Sequence, residues 1–492
     1  MIKRSSNTIQ AFWVGMGTLS SFAFTIISAV ILSRLLSKSE YGTYRQTLYV
    51  YHTLLVVFTL GLPRIFSYFL PRFNLNQGKD VVWSITKLLI GFGALFSFFL
   101  ILFSGLISEL LNNSDLKRGL VIFSPIPFFL LPTLGIEGIF ASYNKTIYIA
   151  IYNIANRLFM LICIVLFVVL FEASYNYAIL GWILSSFASF ILAAYFKNIP
   201  FKGVIHEKAN LSYKEIFSYS LPLVTASLWG IAIKAADQFY ISRYFGKEVF
   251  AEFSNGFMGL PFVGMITGAT STVLMPLFSR LMHEKSDIEN VINLWRNALI
   301  KSAIIIYPMV IFFLFNARPI MTILYGVSYI NSAIYFQIAM LVNLFNIIVF
   351  TPLILSMGKT KFYSRLHMIF AFAVWALEYM AILIFNSPIA IAIISIIASI
   401  SIVIVMLKYV SSLIDTKLIK LFPVVKLSII ACHCTCVMMI IYEAIGLVFQ
   451  DLHDFLSVIL NFIGYFILLV VSQRLFKLNY LSVVKVFTIS RR

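Results

Sequence analysis

Long apolar runs separated by short polar interruptions recur from one end of the chain to the other. A window of about 19 residues, the length needed to cross a bilayer as a helix, marks fourteen of them. They lie at about 9–33, 46–70, 84–108, 119–141, 146–171, 176–196, 216–241, 250–278, 291–316, 328–356, 363–386, 388–408, 422–447 and 453–473. None alternates with the two-residue period of a barrel strand, and in lipid only a helix satisfies the backbone of such a run internally. The pattern predicts an all-α polytopic membrane protein with about 14 transmembrane helices. The basic start (Lys3, Arg4) leads into a run too long for a signal peptide, so the first span is expected to stay as an uncleaved anchor.

The polar interruptions carry the orientation. With a cytoplasmic N-terminus, most of the 37 basic residues fall on the inner side. Lys197, Lys202, Lys208 and Lys214 follow span six, Lys359, Lys361 and Arg365 follow span ten, and Arg474, Lys477, Lys485, Arg491 and Arg492 fill the tail. The last outer loop, QDLHD, has two aspartates and no base. This bias predicts that both ends are cytoplasmic. The longest polar connector, Lys197 to Lys214, reads as a cytoplasmic linker, and no outer loop is long enough to form a domain.

An internal echo supplies the architecture. SRLLSKSEYGTY (Ser33–Tyr44) matches SRYFGKEVFAEF (Ser242–Phe253) through Ser33, Arg34 and Lys38 against Ser242, Arg243 and Lys247. FLPRF (Phe69–Phe73) faces LFSRL (Leu277–Leu281), and SYNKT (Ser142–Thr146) faces SMGKT (Ser356–Thr360). All three pairs share an offset of about 210 residues, which points to a duplication. Six spans per copy preserve orientation, so the repeats are parallel, and transporters built this way hold substrate between their halves. The expected division is an N-terminal six-helix lobe (1–200), a linker (201–215), a C-terminal six-helix lobe (216–410), and accessory helices 13 and 14 with a basic tail (411–492).

Composition narrows the function class. Hydrophobic residues make up 61% and charged residues 11%, which a soluble chain of this size cannot match. The net charge of +18 is spread over short loops rather than gathered on one face, so nucleic acid is not an expected partner. Four cysteines do not make a disulfide framework. In ACHCTCVMM, Cys432 and Cys436 share a helix face and Cys434 points away, so these read as small apolar residues rather than a metal cluster. No GxxxxGK[ST] phosphate loop is present, and no outer loop carries an acid–base pair, so an enzyme is not expected.

LSRLLSKSEYGTYRQ, LGLPRIFSYFLPRF, IKAADQFYISRYFGKEVFAEFS and SMGKTKFY, together with the six-plus-six-plus-two layout, resemble polysaccharide-type flippases of the MOP exporter superfamily. Those proteins are related to lipid II flippases and MATE exporters. The resemblance implies translocation of an undecaprenyl-diphosphate-linked oligosaccharide, such as an O-antigen or capsule repeat unit, from the cytoplasmic to the outer leaflet of a bacterial inner membrane by alternating access. The rival it leaves open is a MATE-type ion-coupled exporter of small cationic compounds. Implied partners are the lipid-linked oligosaccharide, membrane lipids, and polysaccharide polymerase or assembly proteins. No cofactor is expected beyond Na⁺ or H⁺ coupling.

A diphosphate at membrane depth needs cations, with arginine binding as a fork and lysine as a point charge. Arg64, Arg157, Lys234 and Asp237 are the candidate cavity residues, with Glu137 and Asp237 the candidates for ion coupling. Lys234 and Asp237, one turn apart in span seven, either pair with each other or face the cavity; the positions equivalent to them in the first repeat are Thr25 and Ser28. Arg64 follows Pro63 and either faces the lumen or snorkels, whereas Arg157 lies too deep in its span to snorkel easily. Glu137 is either a cation site or an interhelical contact. Lys87 and Lys301 lie near cytoplasmic ends and are expected to snorkel; Glu378 and Glu443 carry no assigned role.

Overall fold

The computed structural model describes residues 7–283, 288–348, 353–354, 357, 359–449, 453–476 and 478–480. Pro352, Ser356, Gly358, the 450–452 part of the last outer loop, Lys477 and the basic tail beyond residue 480 lie outside them. Among the described residues the chain is all-helical. Ten helices are long and apolar enough to cross a membrane, or twelve if each of two bent pairs forms one span. A helix stands in each of the fourteen apolar runs. The two beyond those twelve are Pro261–His283, where part of the 250–278 run lies, and the shorter Ser332–Asn343 within the 328–356 run.

The chain forms two compact units, 1–251 and 252–492. The first holds α1 (Asn7–Leu35), α2 (Lys38–Thr59), α3 (Leu62–Phe69), α4 (Leu75–Leu110), α5 (Ser114–Phe123), α6 (Pro125–Leu130), α7 (Ile136–Ser142), α8 (Ile147–Leu170) and α9 (Tyr175–Asn198). It also takes most of α10 (Tyr213–Gly256). The second holds α11 (Pro261–His283), α12 (Ile288–Phe315), α13 (Ala317–Tyr325), α14 (Ser332–Asn343), α15 (Thr360–Phe385), α16 (Pro388–Leu413), α17 (Leu418–Leu421), α18 (Val424–Val448) and α19 (Asp454–Ser472).

Helix boundaries follow local chemistry. Ser37 caps α2 by accepting the Glu40 N–H at 3.2 Å, and Asn74 caps α4 by accepting the Gln77 N–H at 2.9 Å. Leu60 and Gly61 adopt left-handed backbone, bending α2 from the following helix by 44°, and Pro63 sits at the start of the new helix, where its missing N–H costs nothing. At Gly246 (φ 81°) α10 breaks. Gly246 occupies the place in the second repeat that Ser37 occupies in the first, so the two echoed segments turn at the same position by different means: a side-chain cap in one, a positive-φ glycine in the other.

The echo extends to packing. In the first unit the third span (α4) packs on the fourth (α5, α6), the fourth on the sixth (α9), and the fifth (α8) on the sixth. The second unit repeats these neighbours as α12 on α14, α14 on α16, and α15 on α16. The accessory α18 packs on α12, and α19 packs on α13 and α18. Small residues permit the closest approaches, as in lipid-embedded bundles generally. A Cβ added at Gly181 of α9 would lie 2.6 Å from the Cys163 carbonyl oxygen and 2.8 Å from the Ile164 Cα of α8. Bulky side chains point the other way: Phe372 of α15 is 66% exposed and Val169 of α8 is 62% exposed, as a lipid-facing surface requires.

One sequence expectation changes here. Lys197 is not the first residue of a solvated linker but the wholly buried end of α9. Its Nζ donates to the Pro132 carbonyl at 2.6 Å and to Thr86 Oγ1 at 3.0 Å, with the Phe66 ring centroid 5.3 Å away. The connector that follows is tethered to the start of α4. Glu207 accepts from Asn74 and Gln77, and Asp80 accepts the Ala209 N–H at 3.0 Å and meets His206 at 3.1 Å. In the 432–436 segment the helix phase holds as read: Cys434 is buried, and Cys432 and Cys436 are exposed.

Candidate functional site

Two arginines of the first unit, Arg45 and Arg157, act on α2. Arg157, half-buried on α8, approaches Met160 Sδ at 3.8 Å and makes no ion pair among the described residues. Tyr51, Tyr152 and His52 lie within its electrostatic reach. Arg45, two turns before His52 on the same face of α2, also reaches His52. One turn before Arg157, Asn153 donates to Glu137 Oε1 at 3.1 Å; Glu137 is exposed on α7. That bond makes Glu137 a partner of α8.

From the other side, α10 docks on α2. The Tyr49 hydroxyl donates to the Ala235 carbonyl at 3.0 Å, and the Tyr49 and Phe250 rings are 5.9 Å apart. Lys234, next to Ala235, is exposed, whereas Asp237 is buried with its Oδ1 accepting the Gln238 N–H at 2.9 Å. Arg64 is exposed at the start of α3, beyond the bend. The structure therefore places Arg157 on α8 within electrostatic reach of α2, and Lys234 on α10 next to the residue that Tyr49 of α2 bonds. It places Arg64 after the bend that ends α2, and it buries Asp237 while leaving Lys234 exposed.

The sequence reading missed Arg45 and His52. It began the second span at residue 46, but α2 starts at Lys38, and their seven-residue spacing on one helix was the signal available. Lys87 on α4 and Lys301 on α12 are exposed, Glu443 is exposed on α18, and Glu378 is buried on α15.

A polar knot fixes α2 and α10 at the end where the echoed segments lie. Asn113 donates to Thr43 Oγ1 at 3.0 Å and to Gln46 Oε1 at 2.5 Å. Gln46 donates to Ser242 Oγ at 2.6 Å, and Ser242 to the Leu111 carbonyl at 3.3 Å. Arg243 donates to the Leu110 carbonyl at 2.8 Å, and Lys247 meets Asp115 at 2.6 Å. Glu40 accepts the Tyr175 N–H at 2.7 Å. Ser242, Arg243 and Lys247 are the residues the repeat preserves, and each makes a specific bond here.

Chemically, Arg45 and Arg157, which both act on His52, make this part of α2 a basic wall, with Asp237 buried and Glu137 already hydrogen-bonded. Forked guanidinium groups at membrane depth suit an anion with several oxygens.

Comparison with known proteins bears on the family and the fold. Residues 31–334 match the family model described as polysaccharide biosynthesis protein. The capsular polysaccharide biosynthesis protein CapF of Staphylococcus aureus is 22% identical over 320 residues, covering 63% of this chain and 76% of CapF. Among solved structures, the lipid II flippase MurJ in an inward closed conformation superposes with a TM-score of 0.67 at 16% identity, covering 94% of this chain and 98% of MurJ. An inward-facing multidrug resistance MATE transporter of the MOP superfamily gives a TM-score of 0.64 at 11% identity, covering 80% and 94% of the two chains. The chain is thus a multi-pass membrane protein with the fold of the MOP flippases and exporters, and it belongs to the polysaccharide biosynthesis protein family.

Proposed function

We propose that the protein is a flippase that carries a polyprenyl-diphosphate-linked oligosaccharide from the cytoplasmic to the outer leaflet of a bacterial inner membrane, with both termini cytoplasmic. The observation that supports this reading is the basic wall on α2, where Arg45 and Arg157 both act on His52. The wall suits a diphosphate, whereas a small cationic drug would call for a carboxylate-dominated surface. Arg157 and Lys234 hold the diphosphate, Arg64 completes the cationic path, and Asp237 positions the α10 side of the wall. The polyprenyl tail stays in lipid, and the two six-helix lobes rock to give alternating access. Coupling to Na⁺ or H⁺, if used, runs through Glu137 or Asp237.

Membership of a polysaccharide biosynthesis family supports the cargo class, and likeness to a lipid II flippase supports a lipid-linked one. The test is deletion of the gene followed by assay of lipid-linked oligosaccharide on the inner leaflet. Accumulation reversed by the intact gene is expected. Unchanged glycan export together with new sensitivity to cationic dyes would instead identify a MATE-type exporter.

A further inference from the structure

The first turns of α13, the end of α18 and the start of α19 surround an open cleft of about 500 Å³ in the second unit, within the roughly 300–1,000 Å³ usual for small-molecule sites. Its depth follows from the spans around it. Arg318, on its wall, comes shortly after Phe315, the last residue of α12; Phe449 follows the last residue of α18, and Asp454 is the first of α19. These three helices are each long and apolar enough to cross a bilayer, so a cleft at their ends lies at the level of the lipid headgroups.

Two opposite charges line this cleft without using each other. Arg318 is exposed and Asp454 half-buried. Among the described residues the guanidinium and the carboxylate make no ion pair and no hydrogen bond, and Thr322 bonds only the backbone carbonyl of Arg318. Both groups are therefore open to a ligand, unlike Lys247 and Asp115 of the first unit, which satisfy each other at 2.6 Å. Tyr442, also exposed in the lining, offers a ring face of the kind that attracts an ammonium.

The surface around the cleft fixes the source of that ligand. Leu447 and Val448 at the end of α18 are 75% and 70% exposed, and Phe455 at the start of α19 is 56% exposed. Apolar side chains this open at the end of a span face lipid, so a molecule reaching the cleft past them comes from the bilayer. An anionic phospholipid would satisfy Arg318 but bring no cation to Asp454, and a choline headgroup has no N–H to give that carboxylate. A phosphate joined to a primary ammonium complements both groups. Its oxygens accept the forked N–H donors of Arg318, and its ammonium donates to Asp454 beside the Tyr442 ring.

We infer that this cleft is a headgroup site for a zwitterionic phospholipid with a primary ammonium, such as phosphatidylethanolamine, whose acyl chains lie along the lipid-facing side chains of α18 and α19. A lipid held there ties the accessory helices to α13 at the membrane surface. The site needs only a bilayer and stands apart from the flippase reading.

The test is native mass spectrometry of the full chain released from nanodiscs of equal parts phosphatidylethanolamine, phosphatidylcholine and phosphatidylglycerol. Phosphatidylethanolamine should be retained over each of the others by about fivefold or more. Asp454→Asn should abolish that preference and Asp454→Glu should keep it. Arg318→Ala, which changes an exposed side chain, should lower retention of phosphatidylethanolamine by a similar factor and gives a second readout should Asp454→Asn fail to fold. Equal retention of the three lipids by wild type overturns the inference, as does retention like that of wild type in both Asp454→Asn and Arg318→Ala. Preferential retention of phosphatidylglycerol would mark an anionic-lipid site and overturns it too. So does displacement of the lipid by an equal concentration of glycerophosphoethanolamine, which has the headgroup without the chains, because the ligand would then be a soluble ester.

Discussion

Lys197 offers the sharpest test of the packing account, because it is a buried lysine held by neutral partners. No carboxylate lies in ion-pair range of it among the described residues, and its ammonium is held by Pro132 O, Thr86 Oγ1 and the Phe66 ring. Two hydrogen bonds from a charged donor contribute about 1.5–3 kcal/mol each, and the ring about 0.5–2 kcal/mol. Against this stands a burial cost of several kcal/mol for an ion. The sum is close to zero, so Lys197→Met, which removes both sides together, should change stability by no more than about 2 kcal/mol, mostly from the orphaned Pro132 carbonyl. Thr86→Val differs in kind. It nearly preserves shape but strips one acceptor from a charge that stays buried, so it should destabilise by about 1–3 kcal/mol, a melting shift of a few degrees. In the Lys197→Met background the same Thr86→Val change should cost almost nothing, since Thr86 then loses only its local bond to the Val82 carbonyl. Buried Cys163 and Cys434 make the assay direct: with exposed Cys432 and Cys436 blocked, their reaction with a thiol dye reports unfolding on heating. Equal cost of Thr86→Val in both backgrounds would refute the reasoning.

Other perturbations separate the remaining contacts. Gly181→Ala should part α8 from α9 and destabilise by about 1–3 kcal/mol in the same melt, because the backbone of α8 cannot give way as a flexible side chain would. Lys247→Ala should cost less than about 1 kcal/mol and lose even that in high salt, since Asp115 is half exposed. Gln46→Leu, in the buried part of the same knot, should cost about 1–3 kcal/mol and be insensitive to salt. Arg157→Ala should cut translocation of lipid-linked oligosaccharide by about tenfold or more with normal protein levels, while Arg157→Lys should retain part of it, keeping the charge but not the fork.

The fold was readable from the apolar pattern because in lipid each run must be its own hydrogen-bonded helix. The markers of the expected duplication, Ser242, Arg243 and Lys247, each make a specific bond. What the pattern missed lies where polar side chains rather than hydropathy decide. The start of α2 was placed eight residues late because Ser37 caps it and Gln46 and Thr43 bind Asn113 within its first turns. Lys197 was read as a loop residue because composition cannot distinguish a solvated lysine from one whose Nζ meets Pro132 O and Thr86 from distant segments. The same blindness left the relation of Lys234 to Asp237 open. Spacing puts them a turn apart, but the fold buries one and exposes the other.

The most direct test of the central claim is leaflet-specific assay of lipid-linked oligosaccharide in vesicles reconstituted with the purified protein. Wild type should move the lipid to the far leaflet, and Arg157→Ala and Lys234→Ala should fail while remaining folded by the thiol melt. Equal movement by wild type and both variants would contradict the basic wall as the cargo site, and no movement by wild type would contradict the flippase itself.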